Sequence, residues 1–237
     1  MPSMTGDWSH DAHLQHRAAL HAALGEPARL AVVEELAVSD RSPTELASRL
    51  ALPSNLLAHH LEVLERAGLV ARSASAGDGR RKYVRLVRPA LTGLGIAGRL
   101  PEGEVLFVCS QNSARSQLAA ALWRARMGCR ASSAGTRPAA RVHRGAVAAA
   151  KRAGLSLAGA QPALLGDVPA GTQVISVCDL VHEELEPSPG WWHWSIADPV
   201  ERGDAAAFDA VVAELDERIG SLTLQGGEPA RREGRQR

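Results

Sequence analysis

The chain has 237 residues, 45% of them hydrophobic, and a formal net charge of +1 at pH 7. That length allows two modest domains with packed cores, and the charge balance excludes a global nucleic-acid signature, so any DNA contact must come from local clustering. Three cysteines without even pairing or close spacing exclude a disulfide framework and a zinc knuckle, and they fit reduced thiols in a cytoplasm. Residues 1–16 are polar, unlike a signal peptide, and no apolar run approaches membrane-spanning length, so the expected location is cytoplasmic with no membrane contact.

After a polar leader (1–13), a first domain is expected over 14–88. Residues 14–24 and 28–37 have helical periodicity, separated by Gly25-Glu26-Pro27. Ser42-x-x-Glu45 is a capping box that opens a short helix. Beyond the turn at 51–53, a helix over 54–67 places Leu57, Leu61 and Leu64 on one face, which leaves Ser54, Asn55, Ala58, His59 and Glu62 on the other. Two short helices joined tightly make a helix-turn-helix. Residues 69–72 and 81–87 then read as strands joined through an Asp78-Gly79 turn. Helix-turn-helix followed by a basic hairpin is a winged helix. Arg80, Arg81, Lys82 and Arg85 put positive charge where a wing meets phosphates, and Ser54, Asn55, Ala58 and His59 suit base edges. The histidines at 10, 13, 16 and 21 are too irregularly spaced to be assigned a metal.

The runs Leu24-Gly25-Glu26-Pro27-Ala28-Arg29-Leu30, 57–70 and 79–86 resemble the ArsR-type winged-helix repressors. The resemblance implies a homodimer on a double-stranded DNA operator. Arsenic-sensing members carry a Cys-x-Cys pair ahead of the DNA-reading helix. Residues 36–42 contain no cysteine here, so arsenite is not expected to bind there. Residues 89–103 read as a linker in which Leu91, Leu94, Ile96 and Leu100 leave room for a weak dimerisation helix.

A second domain is expected over 104–222. Residues 105–108 form a short β-branched and aromatic run, as in a buried parallel strand, and Leu118, Leu122 and Ala125 recur at helical spacing. Between them lies Cys109-x5-Arg115-Ser116. A loop of this size entering a helix turns successive backbone N–H groups inward, so Ser110, Gln111, Asn112, Ser113, Ala114, Arg115 and Ser116 are the expected oxyanion-binding residues. Arg115 can clamp two oxygens of the anion. A thiolate at a helix N-terminus beside a guanidinium is favoured over the thiol, which makes Cys109 the candidate nucleophile. Ser113 and Ser116 can donate to it, and Asn112 tolerates the left-handed backbone of a tight loop.

Further on, 129–136, 173–178 and 192–197 read as strands, with helices over 142–153 and 204–219. The fold class is therefore two domains: an α+β winged helix-turn-helix, then α/β with a four-stranded parallel sheet. Such a sheet binds ligands beyond the C-terminal ends of its strands, where Cys109, Cys178 and Asp198 all fall. Asp198, stiffened by Pro199, can supply a proton to a departing oxygen. Cys129 reads as structural. The basic tail, 223–237, has a disordered composition.

Cys109-x-x-Asn112-Ser113-x-Arg115-Ser116-Gln117, Ser133-Ala134-Gly135-Thr136-Arg137-Pro138-Ala139 and Trp194-x-x-x-Asp198-Pro199 resemble the low-molecular-weight protein tyrosine phosphatase superfamily, and within it the arsenate reductases. The resemblance implies reduction of arsenate to arsenite through Cys109, with no tightly bound cofactor. An external thiol would act as reductant: thioredoxin, a glutaredoxin-like protein or a low-molecular-weight thiol. In the tyrosine phosphatases an aromatic residue usually follows Asp-Pro. Val200 stands here, favouring a small inorganic oxyanion, arsenate or phosphate. Cys178 matches the second cysteine of the thioredoxin-coupled reductases, but residues 182–187 lack the third. Either Cys178 resolves the first adduct alone, or a low-molecular-weight thiol does so. The expected whole is an arsenic-responsive transcriptional regulator fused to an arsenate reductase. The alternatives are a protein tyrosine phosphatase domain and a non-catalytic oxyanion sensor.

Overall fold

The computed structural model describes residues 12–91, 98–185 and 190–223. The leader through residue 11, Leu94 and Ile96 of the linker, residues 186–189 and the tail from 224 lie outside the described residues.

Four helices and a hairpin make the first unit: α1 (Ala12–Leu24), α2 (Pro27–Val38), α3 (Pro43–Arg49), α4 (Ser54–Arg66), β1 (Val70–Ala74) and β2 (Lys82–Leu86). The α2 helix starts one residue earlier than its periodicity suggests. Pro27 at its first position lacks an N–H that would go unused there, and the Glu26 carboxylate accepts from Arg29 N at 2.9 Å. Both bonds of the expected capping box form at α3: Glu45 N donates to Ser42 Oγ at 3.3 Å and Ser42 N to Glu45 Oε2 at 2.7 Å. Leu57, Leu61 and Leu64 of α4 are buried against Val32, Val33, Leu36 and Leu46, each such side chain stabilising the fold by about 1.5–3 kcal/mol. The antiparallel hairpin pairs Val70 with Leu86 and Ala74 with Lys82.

The second unit comprises β3 (Gly98–Arg99), β4 (Val105–Cys109), α5 (Arg115–Met127), β5 (Ala131–Gly135), α6 (Arg144–Arg152), β6 (Gln173–Ser176), α7 (Asp179–Glu184), β7 (Trp192–His193), α8 (Pro199–Arg202), α9 (Ala205–Gly220) and β8 (Leu222–Thr223). Its main sheet is parallel throughout in the order β5-β4-β6-β7. Strand β4 is flanked on both sides, which is why Val105, Phe107 and Val108 read as an unbroken apolar run: all three are fully buried.

Three elements differ from their sequence-based expectations. Strand β6 stops at Ser176, and Cys178 caps α7, a helix that the expected strand over 173–178 concealed. Strand β7 is only two residues long: Trp194 N still donates to Ser176 O (2.8 Å), but its indole Nε1 donates to Val38 O (2.9 Å), and Ser195 N leaves the sheet for Asp40 Oδ2 (2.8 Å) in the first unit. The linker does not separate the units either. Gly98–Arg99 pairs in parallel with Leu222–Thr223, and a Cβ on Gly98 would lie 2.8 Å from Ala37 O, so only glycine permits that approach.

Each unit has its own hydrophobic core, but a polar seam joins them. Residues 39–41 run between the hairpin and the outer edge of β7. Arg41 exchanges backbone hydrogen bonds with Val84 (3.1 and 2.7 Å), while Asp40 N donates to His193 O at 2.7 Å. The exposed edge expected of a terminal strand is thereby covered from within the chain. Behind it, the fully buried Asp40 carboxylate accepts two hydrogen bonds from Arg218 of α9, at 3.0 and 2.9 Å.

Candidate functional site

Strand β4 delivers Cys109 to the carboxyl edge of the sheet, and α5 begins six residues later. The loop between is held from outside by its carbonyls. Ser110 O, Gln111 O and Ser113 O accept from Arg137 N (2.8 Å), Ala139 N (3.0 Å) and His143 N (2.8 Å) of the segment after β5. Those carbonyls bond outward while the Asn112 amide points inward onto Cys109 Sγ, and inward amides are what an oxyanion needs. Gly135 is required for this wrapping, since a Cβ there would lie 2.7 Å from Ser110 O and 2.9 Å from Asn112 N.

Asn112 organises the interior. It adopts the left-handed conformation (φ +47°), its N–H donates to Cys109 Sγ at 3.2 Å, and its Nδ2 donates to Ser116 Oγ at 2.7 Å. Its Oδ1 accepts from Gln117 Nε2 (3.1 Å) and Ala163 N (2.9 Å). Because Ser116 Oγ already accepts from Asn112, its own proton is free for Cys109 Sγ, 3.0 Å away. Ser113, expected as a second donor to the sulfur, contributes its carbonyl to the outer frame instead, and the sulfur bonds to Asn112 and Ser116.

Arg115 is buried beneath the loop, donating through Nη1 to Ile196 O at 3.0 Å and through Nη2 to Asp198 Oδ2 at 2.6 Å. Burial works against its cation, but Cys178, Asp198 and Cys109 outweigh that cost and raise its pKa. Asp198 also caps α8, with Oδ1 accepting from Val200 N at 3.0 Å. The Cys178 thiol lies 4.0 Å from Ser110 Oγ and is buried, like Cys109. Cys109, Arg115, Asp198 and Cys178 therefore meet at one loop. Cys129 does not. It is exposed rather than structural, just past the far end of α5, about 18 Å along that helix from its start.

On the first unit, Ser54, Asn55, Ala58 and His59 are exposed along α4, whereas His60 is buried with Nδ1 3.6 Å from Glu26. Arg80, Arg81 and Lys82 are exposed at the hairpin. Two wing cations are shared with the second unit: Arg85 pairs with Glu214 at 3.4 Å and Arg81 with Glu183 at 3.8 Å. The α7 residues Asp179 and Glu183 that meet the wing were missed from sequence, where the only clue was the adjacency of Asp179 to Cys178. Among the described residues, no group of histidines, cysteines and carboxylates could hold a metal, and no helix is long and apolar enough to cross a membrane.

Residues 104–233 match the family described as low molecular weight phosphotyrosine protein phosphatase, and residues 24–72 match a helix-turn-helix domain. Solved structures similar to the chain include an arsenate reductase from Archaeoglobus fulgidus DSM 4304 (28% identity, 48% of this chain and 94% of that one, TM-score 0.42). An arginine phosphatase from Geobacillus stearothermophilus is 25% identical over 50% of this chain and 89% of its own, with a TM-score of 0.43. A low molecular weight protein tyrosine phosphatase from T. tengcongensis is 21% identical over 51% and 97%, with a TM-score of 0.45. No curated protein matches the chain.

Proposed function

Because the chain belongs to the low molecular weight phosphotyrosine protein phosphatase family and carries a helix-turn-helix DNA-binding domain ahead of that region, we propose that it is an arsenic-responsive transcriptional regulator whose second domain reduces arsenate to arsenite. The observation that carries the reading is the second buried thiol. Cys178 lies at the oxyanion loop, its Sγ 4.0 Å from Ser110 Oγ, and is buried there like Cys109. Hydrolysis of a phosphate ester uses no second thiol, whereas reduction of an oxyanion consumes one, and Cys178 is placed to supply it from within the chain.

In this mechanism arsenate displaces Asp198 from Arg115, and the guanidinium and loop amides hold its oxygens. The Cys109 thiolate attacks arsenic, and one oxygen departs as water with a proton from Asp198. The Cys178 thiolate then attacks the Cys109 sulfur. A sulfur–sulfur bond forms, the arsenic–sulfur bond breaks with its electron pair left on arsenic, and arsenite departs. A thioredoxin, glutaredoxin-like or low-molecular-weight thiol reduces the disulfide. A cytoplasmic homodimer on a double-stranded operator belongs to the same proposal.

The test is to give the purified protein arsenate with each class of thiol and, separately, p-nitrophenyl phosphate. Arsenite production that Cys109→Ser abolishes supports the reading. Ester hydrolysis without arsenite makes the domain a phosphatase, and neither activity makes the loop an oxyanion sensor.

A further inference from the structure

The tip of the wing is built onto the helix that Cys178 opens. Asp179, the next residue, accepts from Ala76 N–H at 2.8 Å through Oδ2. One turn on, Glu183 Oε1 accepts from Ser75 Oγ (2.6 Å) and Tyr83 OH (3.1 Å), and its Oε2 accepts from Asp78 N–H at 2.9 Å. Gly77 marks how close the fit is, since a Cβ there would lie 2.5 Å from Glu183 Oε2 and 3.2 Å from the Leu180 Cα. Behind this contact, Asp179 Oδ1 meets His193 Nε2 at 2.9 Å, and His193 stacks on His182 at 4.1 Å. His182 in turn reaches Glu45 of α3 at 3.1 Å. The first turns of α7 thus bond simultaneously to the wing and to the first helix of the helix-turn-helix.

From this geometry we infer that the wing anchors the Cys178 segment, with Asp179 and Glu183 as positioning residues for the second thiol, and that bonding Cys178 to Cys109 detaches the wing. The inference rests on the reading of Cys178 as that thiol. A disulfide holds its Cβ atoms about 3.8 Å apart in a fixed geometry, and any shift of Cys178 that closure imposes passes to Asp179, the adjoining residue. Each bond that α7 makes to the hairpin tip ends on Asp179 or Glu183, so the tip cannot keep its partners while the cap of α7 moves. The coupling is reciprocal: whatever free energy closure costs the seam, a weakened seam returns to closure.

The experiment is hydrogen exchange on the full chain, reduced and after treatment with diamide or with arsenate, with Cys178→Ser as control and disulfide formation followed by mass. With the disulfide formed, amide exchange over 75–83 is expected to rise by at least about tenfold, with no rise in the control. Glu183→Gln, which keeps the side-chain shape but offers one acceptor oxygen where the carboxylate uses two, is expected to favour the disulfide about tenfold against a glutathione redox pair. A disulfide that leaves exchange over 75–83 unchanged overturns the inference. So does failure of both oxidants to join Cys109 and Cys178. A disulfide with diamide but none with arsenate leaves the inference standing and sinks the reductase reading.

Discussion

Asn112 and Gly135 do for the loop what Cys109 and Arg115 cannot do for themselves. The left-handed Asn112 turns its N–H onto the sulfur and its side chain onto Ser116. Gly135 leaves room for that turn by carrying no side chain, its missing Cβ lying 2.9 Å from Asn112 N. Gly135→Ala is therefore predicted to displace the loop at a cost of about 1–3 kcal/mol, the usual penalty for overfilling a packed site. Because the displaced atoms are the loop's own, the loss should appear in phosphate affinity measured by calorimetry as well as in thermal stability. Wild-type phosphate affinity in that variant would show that the loop accommodates the methyl group and that its shape is set elsewhere. That Cys109 and Ser116 meet within one loop was legible from spacing, because a loop between strand and helix is a local device; that Asp198 reaches Arg115 of that loop depends on a distant turn. Gly135 was visible only as part of a motif, since its role depends on which backbone lies across from it.

Elements that were legible carry their reason in their own residues. Helix α4 shows its buried leucines at helical spacing, α3 its capping box, and β4 its apolar run. The illegible ones take their reason from the other half of the chain. Helix α7 is short, only Val181 of it joins the apolar core, and its buried polar residues Asp179 and His182 are satisfied by Ala76, His193 and Glu45. Titration of this group gives a prediction. Burial lowers the pKa of His193, which faces Asp179, His182, Tyr83 and, more distantly, Asp40. Folding thus favours its neutral ring, so its contribution is present above the ordinary value near 6.5 and is lost as pH falls below it. Asp179 and Glu45 are held ionised against burial, by His193 for Asp179 and by His182 and Ser42 for Glu45, which drops to about 2. Their contributions fail only below the ordinary carboxylate range. Stability should accordingly begin to decline near pH 6.5, well before the carboxylates titrate. His193→Gln should flatten the part of the urea-midpoint profile between about pH 6.5 and 5. An unaltered profile in that window would assign the acid sensitivity to another group.

At the scale of the molecule, the two units are fused by polar contacts that neither could satisfy alone. The Asp40 carboxylate and the Arg218 guanidinium are fully buried together. Burial opposes both charges, but each holds the other ionised, lowering the pKa of Asp40 and raising that of Arg218. Arg218→Ala leaves Asp40 without its main partner and is predicted to cost about 3–5 kcal/mol in denaturant unfolding, the usual result of breaking a buried pair. A loss below about 1 kcal/mol would mean that water reaches Asp40 readily. The same fusion bears on the proposed contact with DNA. With its tip held by α7, the wing presents Arg80 and Lys82 on a fixed backbone, so ordering the tip costs little on binding. Each phosphate contact releases counterions and adds about 0.9 to the slope of log affinity against log salt. In the reduced protein, neutralising Arg80 should weaken binding to duplex DNA of any sequence and lower that slope by about 1; an unchanged slope would remove Arg80 from the interface. If the disulfide frees the wing, oxidised wild-type protein should show the reduced slope without any substitution, and Arg80→Ala should then lower it little further. Equal slopes for the oxidised and reduced wild type would mean that the wing keeps its DNA contacts whatever the state of Cys178.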